Sequence, residues 1–188
     1  MRISGQAIIA EIAPADRQAM IDLHRHIRTV TDTPIYPEYA QANIDFRLYE
    51  KNWATYFDNK AAGKKDLALK ATLDNRIIGF ARFSTANPDD PKLLAIVKDG
   101  WAELHWLYIL PEYQGQRIGK QLYQLAKKHA ADWGCRQMVI EAYRDNPTTR
   151  KFYESFGLKI ASEVLSHNIR SERAFDIPSV RFVEFNLG

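Results

Sequence analysis

Residues 102–142 restrict the fold more than any other part of the chain. Residues 102–110 form a strand-like apolar run, and residues 111–116 a polar loop opening on Pro111. The segment that follows lays Ile118, Leu122, Leu125, Ala126 and Trp133 along one helical face before Gly134 stops it. Residues 138–142 then give a second apolar run, short enough for a buried strand. Strand, helix, strand in that order is a βαβ unit, so the two strands lie parallel and the helix crosses over right-handed.

The other elements must be arranged around that unit. Residues 66–73 and 76–84 alternate as two strands about an Asp74-Asn75 turn, an antiparallel hairpin in which Gly79 marks a bulge or a close backbone approach. Residues 3–12 read as a first strand. Asp16 can cap a helix whose period brings Met20, Leu23, Ile27 and Val30 together, and the Thr31-Asp32-Thr33-Pro34 cluster ends it. Residues 36–57 read as helical and carry Tyr36, Tyr39, Phe46, Tyr49, Trp53, Tyr56 and Phe57, with core packing as their main use; residues 87–91 form a polar loop. Asn146 caps a short helix over residues 147–156 with Pro147 in its first turn and Gly157 beyond its end. Residues 158–163 and 180–187 read as closing strands. The pattern predicts an α/β fold: a mixed sheet, mainly antiparallel, flanked by helices.

Composition bounds the rest. The 188 residues fit one domain spanning residues 1–188, and 46% apolar against 26% charged residues excludes disorder. Lys and Arg number 26 against 23 Asp and Glu, a net charge of +3, which argues against nucleic acid as the partner but permits a local anion site. Cys135 stands alone, so no disulfide framework or multi-Cys zinc site exists, and we read it as a buried small apolar side chain. His24 and His26 sit two apart on a helix and face different ways, so no metal is expected there. No apolar run reaches the ~18 residues of a membrane span, and the apolar stretch at residues 7–10 is cut by Glu11, so the expected setting is the cytoplasm.

Chemistry concentrates in the loop between the first βαβ strand and its helix. A glycine-bearing loop that runs from a strand into a helix presents backbone N–H groups at the positive end of the helix dipole, and so attracts an anion. Arg117, Lys120, Lys127, Lys128 and Arg136 against Asp132 strengthen that field, although on composition alone a solvated polar helix face is the favoured explanation. The spacing fits neither a nucleotide P-loop nor a dinucleotide fingerprint.

In context, Gln114-Gly115-Gln116-Arg117-Ile118-Gly119 resembles the pyrophosphate-binding pattern Gln/Arg-x-x-Gly-x-Gly/Ala of the GNAT superfamily of acyl-CoA-dependent N-acetyltransferases. Arg117 stands where the pattern has its middle glycine. Downstream, Asn146, Phe152, Tyr153, Gly157 and Leu158 resemble the family's Asn-x5-Phe-Tyr-x3-Gly-Phe stretch, with Leu158 for the common Phe. The resemblance covers residues 103–158, and it implies a GNAT-like fold whose central βαβ unit binds acetyl-CoA as co-substrate, without metal.

It also implies roles. Gln114, Gly115, Gln116, Arg117, Ile118, Gly119 and Lys120 would hold the pyrophosphate, with Asn146 also at the cofactor; Leu107, Tyr108 and Ile109 would offer backbone groups to the pantetheine arm and acetyl carbonyl. Tyr153 resembles the tyrosine that protonates the departing thiolate, a transfer from a phenol of pKa ~10 to a thiol of pKa ~8.5; otherwise it is a packed helical aromatic. An acceptor amine of pKa ~10 needs a base at neutral pH. Glu141 and Glu103 both match base positions of family members, and either is otherwise an ordinary strand-end charge. His105 shares a strand face with Glu103 and can relay a proton, though a core role is the simpler reading. Asn146 serves as a helix cap in any case.

The expected activity is transfer of an acetyl group to the primary amine of a small molecule or peptide, by direct attack in a ternary complex. A catalytically silent acyl-CoA-binding module on the same fold is the alternative, and a nucleic-acid binder using residues 117–136 a weaker third. By analogy residues 31–36 and 170–176 would frame the acceptor. Their mixed charge selects no particular amine, and monomer and homodimer both stay open.

Overall fold

The predicted βαβ unit lies inside a seven-stranded sheet of order β1-β2-β3-β4-β5-β7-β6. A computed structural model describes residues 6–41, 45–87, 100–168, 175–185 and 187. The strands are β1 (Ile8–Glu11), β2 (Asp66–Leu73), β3 (Arg76–Thr85), β4 (Trp101–Ile109), β5 (Gln137–Tyr143), β6 (Ile160–Asn168) and β7 (Phe175–Phe185). The helices are α1 (Arg17–Thr31), α2 (Glu38–Gln41), α3 (Arg47–Ala61), α4 (Ile118–Asp132) and α5 (Pro147–Glu154). β4 and β5 pair in parallel, and every other neighbouring pair is antiparallel.

The hairpin forms as the sequence dictates. Asp74 and Asn75 both take positive φ (48° and 60°), the geometry of a two-residue turn that matches strand twist. Both readings of Gly79 hold: the β2/β3 register shifts beside it, and a Cβ there would lie 2.7 Å from the Tyr108 carbonyl oxygen of β4. Asp66 and Arg82, on adjacent strands, form a buried two-pronged ion pair with contacts of 3.0 and 2.7 Å, so both charges find partners away from water.

Four expectations need correction. The first strand is confined to Ile8–Glu11, residues 1–5 lying outside the described ones. The face that α1 buries is Met20, Ile21, His24, Ile27 and Arg28, whereas Val30 is 45% exposed. Its inner face is therefore partly polar, which apolar periodicity cannot register. Residues 36–57 are not one helix: Tyr36 is extended, as the residue before Pro37 is biased to be, α2 is a single turn, and α3 starts at Arg47. Of their aromatics Tyr36, Tyr49, Trp53 and Tyr56 are buried, while Tyr39 and Phe46 are exposed. Finally, β6 and β7 are longer than the predicted closing strands. β7 runs through Pro178, whose carbonyl accepts from the Arg144 N–H at 2.8 Å, so the strand continues past a residue that cannot donate.

Two irregularities of β4 matter for function. Its register with β3 slips between Leu104, opposite Phe83, and Trp106, opposite Arg82, so His105 is bulged out. Phe83 stacks on Trp133 after α4, whereas Trp106 packs on His24 of α1 and Trp53 of α3. The extra residue thus reverses the alternation and turns Trp106 and Tyr108 toward α1. In addition, β4 pairs with β5 only from Trp101 and Gln137 to Leu104 and Ile140, although the strands continue to Ile109 and Tyr143. Beyond that point they part.

Candidate active site

Two cavities meet where β4 and β5 separate. One, of about 370 Å3, is lined by Arg28 of α1 and Asp32 just after its end, by β4 from Glu103 to Tyr108, and by Glu141, Tyr143, Asn146 and Ser179. The other, of about 360 Å3, lies at the start of α4 and is lined by Leu107, Ile109, the loop residues Gln114, Gly115 and Arg117, Ile118, Gly119, Lys120 and one face of α5. Leu107, Thr149 and Tyr153 border both. A thin molecule lying along the second cavity would therefore present its end to the first.

The loop is built for close approach. Gln114 donates from Nε2 to the Ile109 carbonyl at 3.1 Å and ties the loop to the strand end. Gly115 has φ of 76°, and Arg117 takes a left-handed conformation (φ 65°, ψ 5°) immediately before α4. The first helical bond runs from the Gln121 N–H to the Arg117 carbonyl at 3.0 Å, so the Ile118, Gly119 and Lys120 amides head the helix. At Gly119 a Cβ would sit 3.3 Å from the Phe152 ring and 3.6 Å from the Leu107 side chain, which is why α4, α5 and β4 can converge there. The amides, the Lys120 ammonium and the adjoining cavity suit an elongated phosphate-bearing ligand.

Arg117 holds a glycine's conformation with a side chain attached, at a cost of roughly 1–2 kcal/mol. The variant Arg117→Gly is therefore expected to melt about 2–4 °C higher, the shift corresponding to ~1 kcal/mol in a chain of this size. A thermal melt checks this, and an unchanged or lower Tm would show that the position carries no strain.

Tyr153 is 4% exposed, its ring against Tyr123, Phe152 and Phe182. Burial raises its phenol well above the usual value, keeping it protonated. Both candidate carboxylates border the first cavity. Glu141 accepts from Arg181 Nε at 3.0 Å through one oxygen and from the Ser166 hydroxyl through the other. Glu103 lies 3.2 Å from His105 Nδ1, and His105 Nε2 lies 2.8 Å from the Ser84 hydroxyl. His105 is thus a half-buried cavity residue rather than a core one. Asn146 accepts from the Thr149 N–H at 3.1 Å as the cap of α5 and faces the first cavity, not the loop cavity. Gln116 borders neither cavity.

Cys135 is buried, and burial raises its thiol. No group of three or more metal-ligating side chains gathers among the described residues, nor is any of their helices long and apolar enough to cross a membrane. Of the segments expected to frame the acceptor, Asp32 borders the first cavity, whereas residues 170–174 lie outside the described ones. Sequence reasoning missed Arg28, Asn52, Arg82, Tyr143 and Ser179, all on the cavity wall. Arg28 and Asp32, four apart on a helix, carry a pairing signal, but such pairs ordinarily lie on the surface.

The profile of the Acetyltransferase (GNAT) family matches residues 18–158. An uncharacterized N-acetyltransferase of Mycobacterium tuberculosis is 27% identical over 126 residues, covering 67% of this chain and 71% of the relative. A spermidine N(1)-acetyltransferase of Thermoplasma acidophilum is 26% identical over 153 residues, covering 81% and 88%. Among solved structures, PaiA N-acetyltransferase from Thermoplasma acidophilum, in complex with coenzyme A, superposes with a TM-score of 0.67 at 20% identity, over 93% of this chain and 98% of its own.

Proposed function

Because the chain belongs to the Acetyltransferase (GNAT) family, we propose that it moves an acetyl group from acetyl-CoA to a primary amine of a small molecule or peptide, in the cytoplasm. The observation that carries this reading is the meeting of the two cavities at Tyr153, beside the parting of β4 and β5. The coenzyme A complex of the PaiA neighbour supports the same ligand here.

Acetyl-CoA supplies an activated thioester when bound. The amides of residues 118–120, with Arg117 and Lys120, hold its phosphates, and Gly119 lets α4 start close against Phe152 and Leu107. The β4 backbone near Tyr108, paired with β3 but unpaired on its β5 side, holds the arm and the acyl carbonyl. Proximity of the two cavities orients the amine against the acyl carbon. Glu103 is the better-placed base. Protonating Glu141 would break its ion pair with Arg181, whereas Glu103 abuts His105, a ring able to carry the proton onward. Tyr153 delivers a proton to the sulfur.

The test is release of free thiol from acetyl-CoA by the purified protein across a panel of polyamines, amino sugars, amino acids and peptides. Amine-dependent release is expected. Binding of acetyl-CoA without release for any amine would favour the silent binding module instead. With an active amine in hand, Glu103→Gln is expected to lower kcat by about 100-fold, a common loss for a general base, and Glu141→Gln to lower it less. The reverse order would move the base to Glu141.

A further inference from the structure

One guanidinium joins the two strands after they part. Arg28 Nη1 lies 2.6 Å from the Tyr108 hydroxyl on β4. Its Nη2 lies 2.8 Å from the Tyr143 hydroxyl on β5, 2.7 Å from the Tyr36 hydroxyl and 2.9 Å from Asp32 Oδ2. Tyr108 in turn donates to Asp32 at 2.8 Å. Arg28 and Asp32 are both buried, at 3% and 3% exposure, and Arg28 Nε has no hydrogen-bond partner among the described residues. Burial opposes the Arg28 charge, but Asp32 and the three phenols outweigh it, so the guanidinium stays protonated.

This arrangement is a costly way to fill space. Replacing a buried ion pair with apolar side chains often leaves a fold equally stable or more so, and α1 already buries Met20, Ile21 and Ile27 against the core. The network is also placed with respect to the opening, because it connects β4 to β5 only beyond Leu104 and Ile140, where strand pairing no longer does. A planar fork, with two terminal nitrogens held apart, spans acceptors on two diverging strands with a fixed geometry that a compact ammonium lacks.

We propose that Arg28 is a positioning residue: by holding Tyr108 and Tyr143 together it sets the width of the gap between β4 and β5 and the position of the acceptor cavity wall. The inference rests on the acetyl-transfer reading for its consequence in turnover, and on the fold alone for the brace itself. Asp32 keeps the fork aimed. Distorting this wall displaces the acceptor and the acyl end of the arm near Tyr108, and leaves the phosphate loop, which Arg28 does not touch, unchanged.

The test compares Arg28→Met and Arg28→Lys with the wild type. Expected are acetyl-CoA affinity within ~3-fold of wild type by titration and kcat/KM for the acceptor lower by about 100-fold, the scale of a misplacement near 1 Å. Lysine is expected to restore the melting temperature but not the turnover, a split that a purely structural role does not produce. Should Arg28→Met fail to fold, Arg28→Lys alone decides. Folded variants with wild-type kcat/KM overturn the proposal, as does equal loss of acetyl-CoA binding and turnover. If the wild type releases no thiol with any amine, the acetyl-transfer reading fails and amide hydrogen exchange tests the brace separately. Exchange faster in Arg28→Lys at residues 105–109 and 141–143, but not in the β2–β3 hairpin, supports it; unchanged exchange overturns it.

Discussion

Replacing Tyr153 with Phe is expected to lower kcat by about 100-fold to 10,000-fold, the usual range for loss of a general acid. The affinity for acetyl-CoA should change by less than ~3-fold, because the ring and its contacts with Tyr123, Phe152 and Phe182 persist. The sign of the pH dependence follows from burial. A phenol held above its ordinary pKa of ~10 remains a donor through neutral and moderately alkaline pH. Loss of activity between pH 8 and pH 10 therefore cannot come from ionisation of Tyr153. Steady-state kinetics with saturating amine, with acetyl-CoA titrated separately, decides the matter. Unchanged kcat in Tyr153→Phe would remove the residue from the mechanism and leave it a packing aromatic.

The second large effect is expected at Gly119. An added Cβ already approaches the Phe152 ring to 3.3 Å, so Gly119→Ala requires only a small shift of a side chain, whereas Gly119→Trp must project an indole into the loop cavity. Isothermal titration is expected to show acetyl-CoA binding weakened by at least ~100-fold in the Trp variant, about 2.7 kcal/mol, and by only a few-fold in the Ala variant. Near-native circular dichroism separates obstruction from unfolding. Wild-type affinity in a folded Gly119→Trp would place the phosphates elsewhere and undo the assignment of the loop.

Much of the fold was legible because its elements are local. The β2–β3 hairpin follows from Asp74-Asn75, whose side chains tolerate positive φ, and α5 follows from Asn146, Pro147 and Gly157, whose capping chemistry acts within a few residues. Short apolar runs located β4 and β5, and the 3.6-residue period located α4, for the same reason. The limits appear where a residue's environment comes from elsewhere. Val30 fits the apolar stripe of α1 yet faces water, and Arg28 fits a surface pair yet is buried. The closing strand expected from residue 180 starts at Phe175 and runs through Pro178.

The candidate site divides in the same way. Gln114, Gly119, Asn146 and Tyr153 can be read from the chain because each belongs to a short motif with a fixed backbone geometry, and both candidate carboxylates could be named beforehand. Their arrangement could not. Only the tertiary structure decided that β4 carries a bulge at His105, that β4 and β5 part after four paired positions, and that the two cavities share Leu107, Thr149 and Tyr153. Tertiary contact also gave Arg28 its phenols from residues 8, 80 and 115 positions away. Hydrogen bonding along the chain and side-chain periodicity are determined by neighbours in sequence, so the sequence alone specifies the elements and the motifs. Register slips, strand divergence and the pairing of a buried charge depend on which distant surfaces meet, and that is settled only when the whole sheet closes around its core.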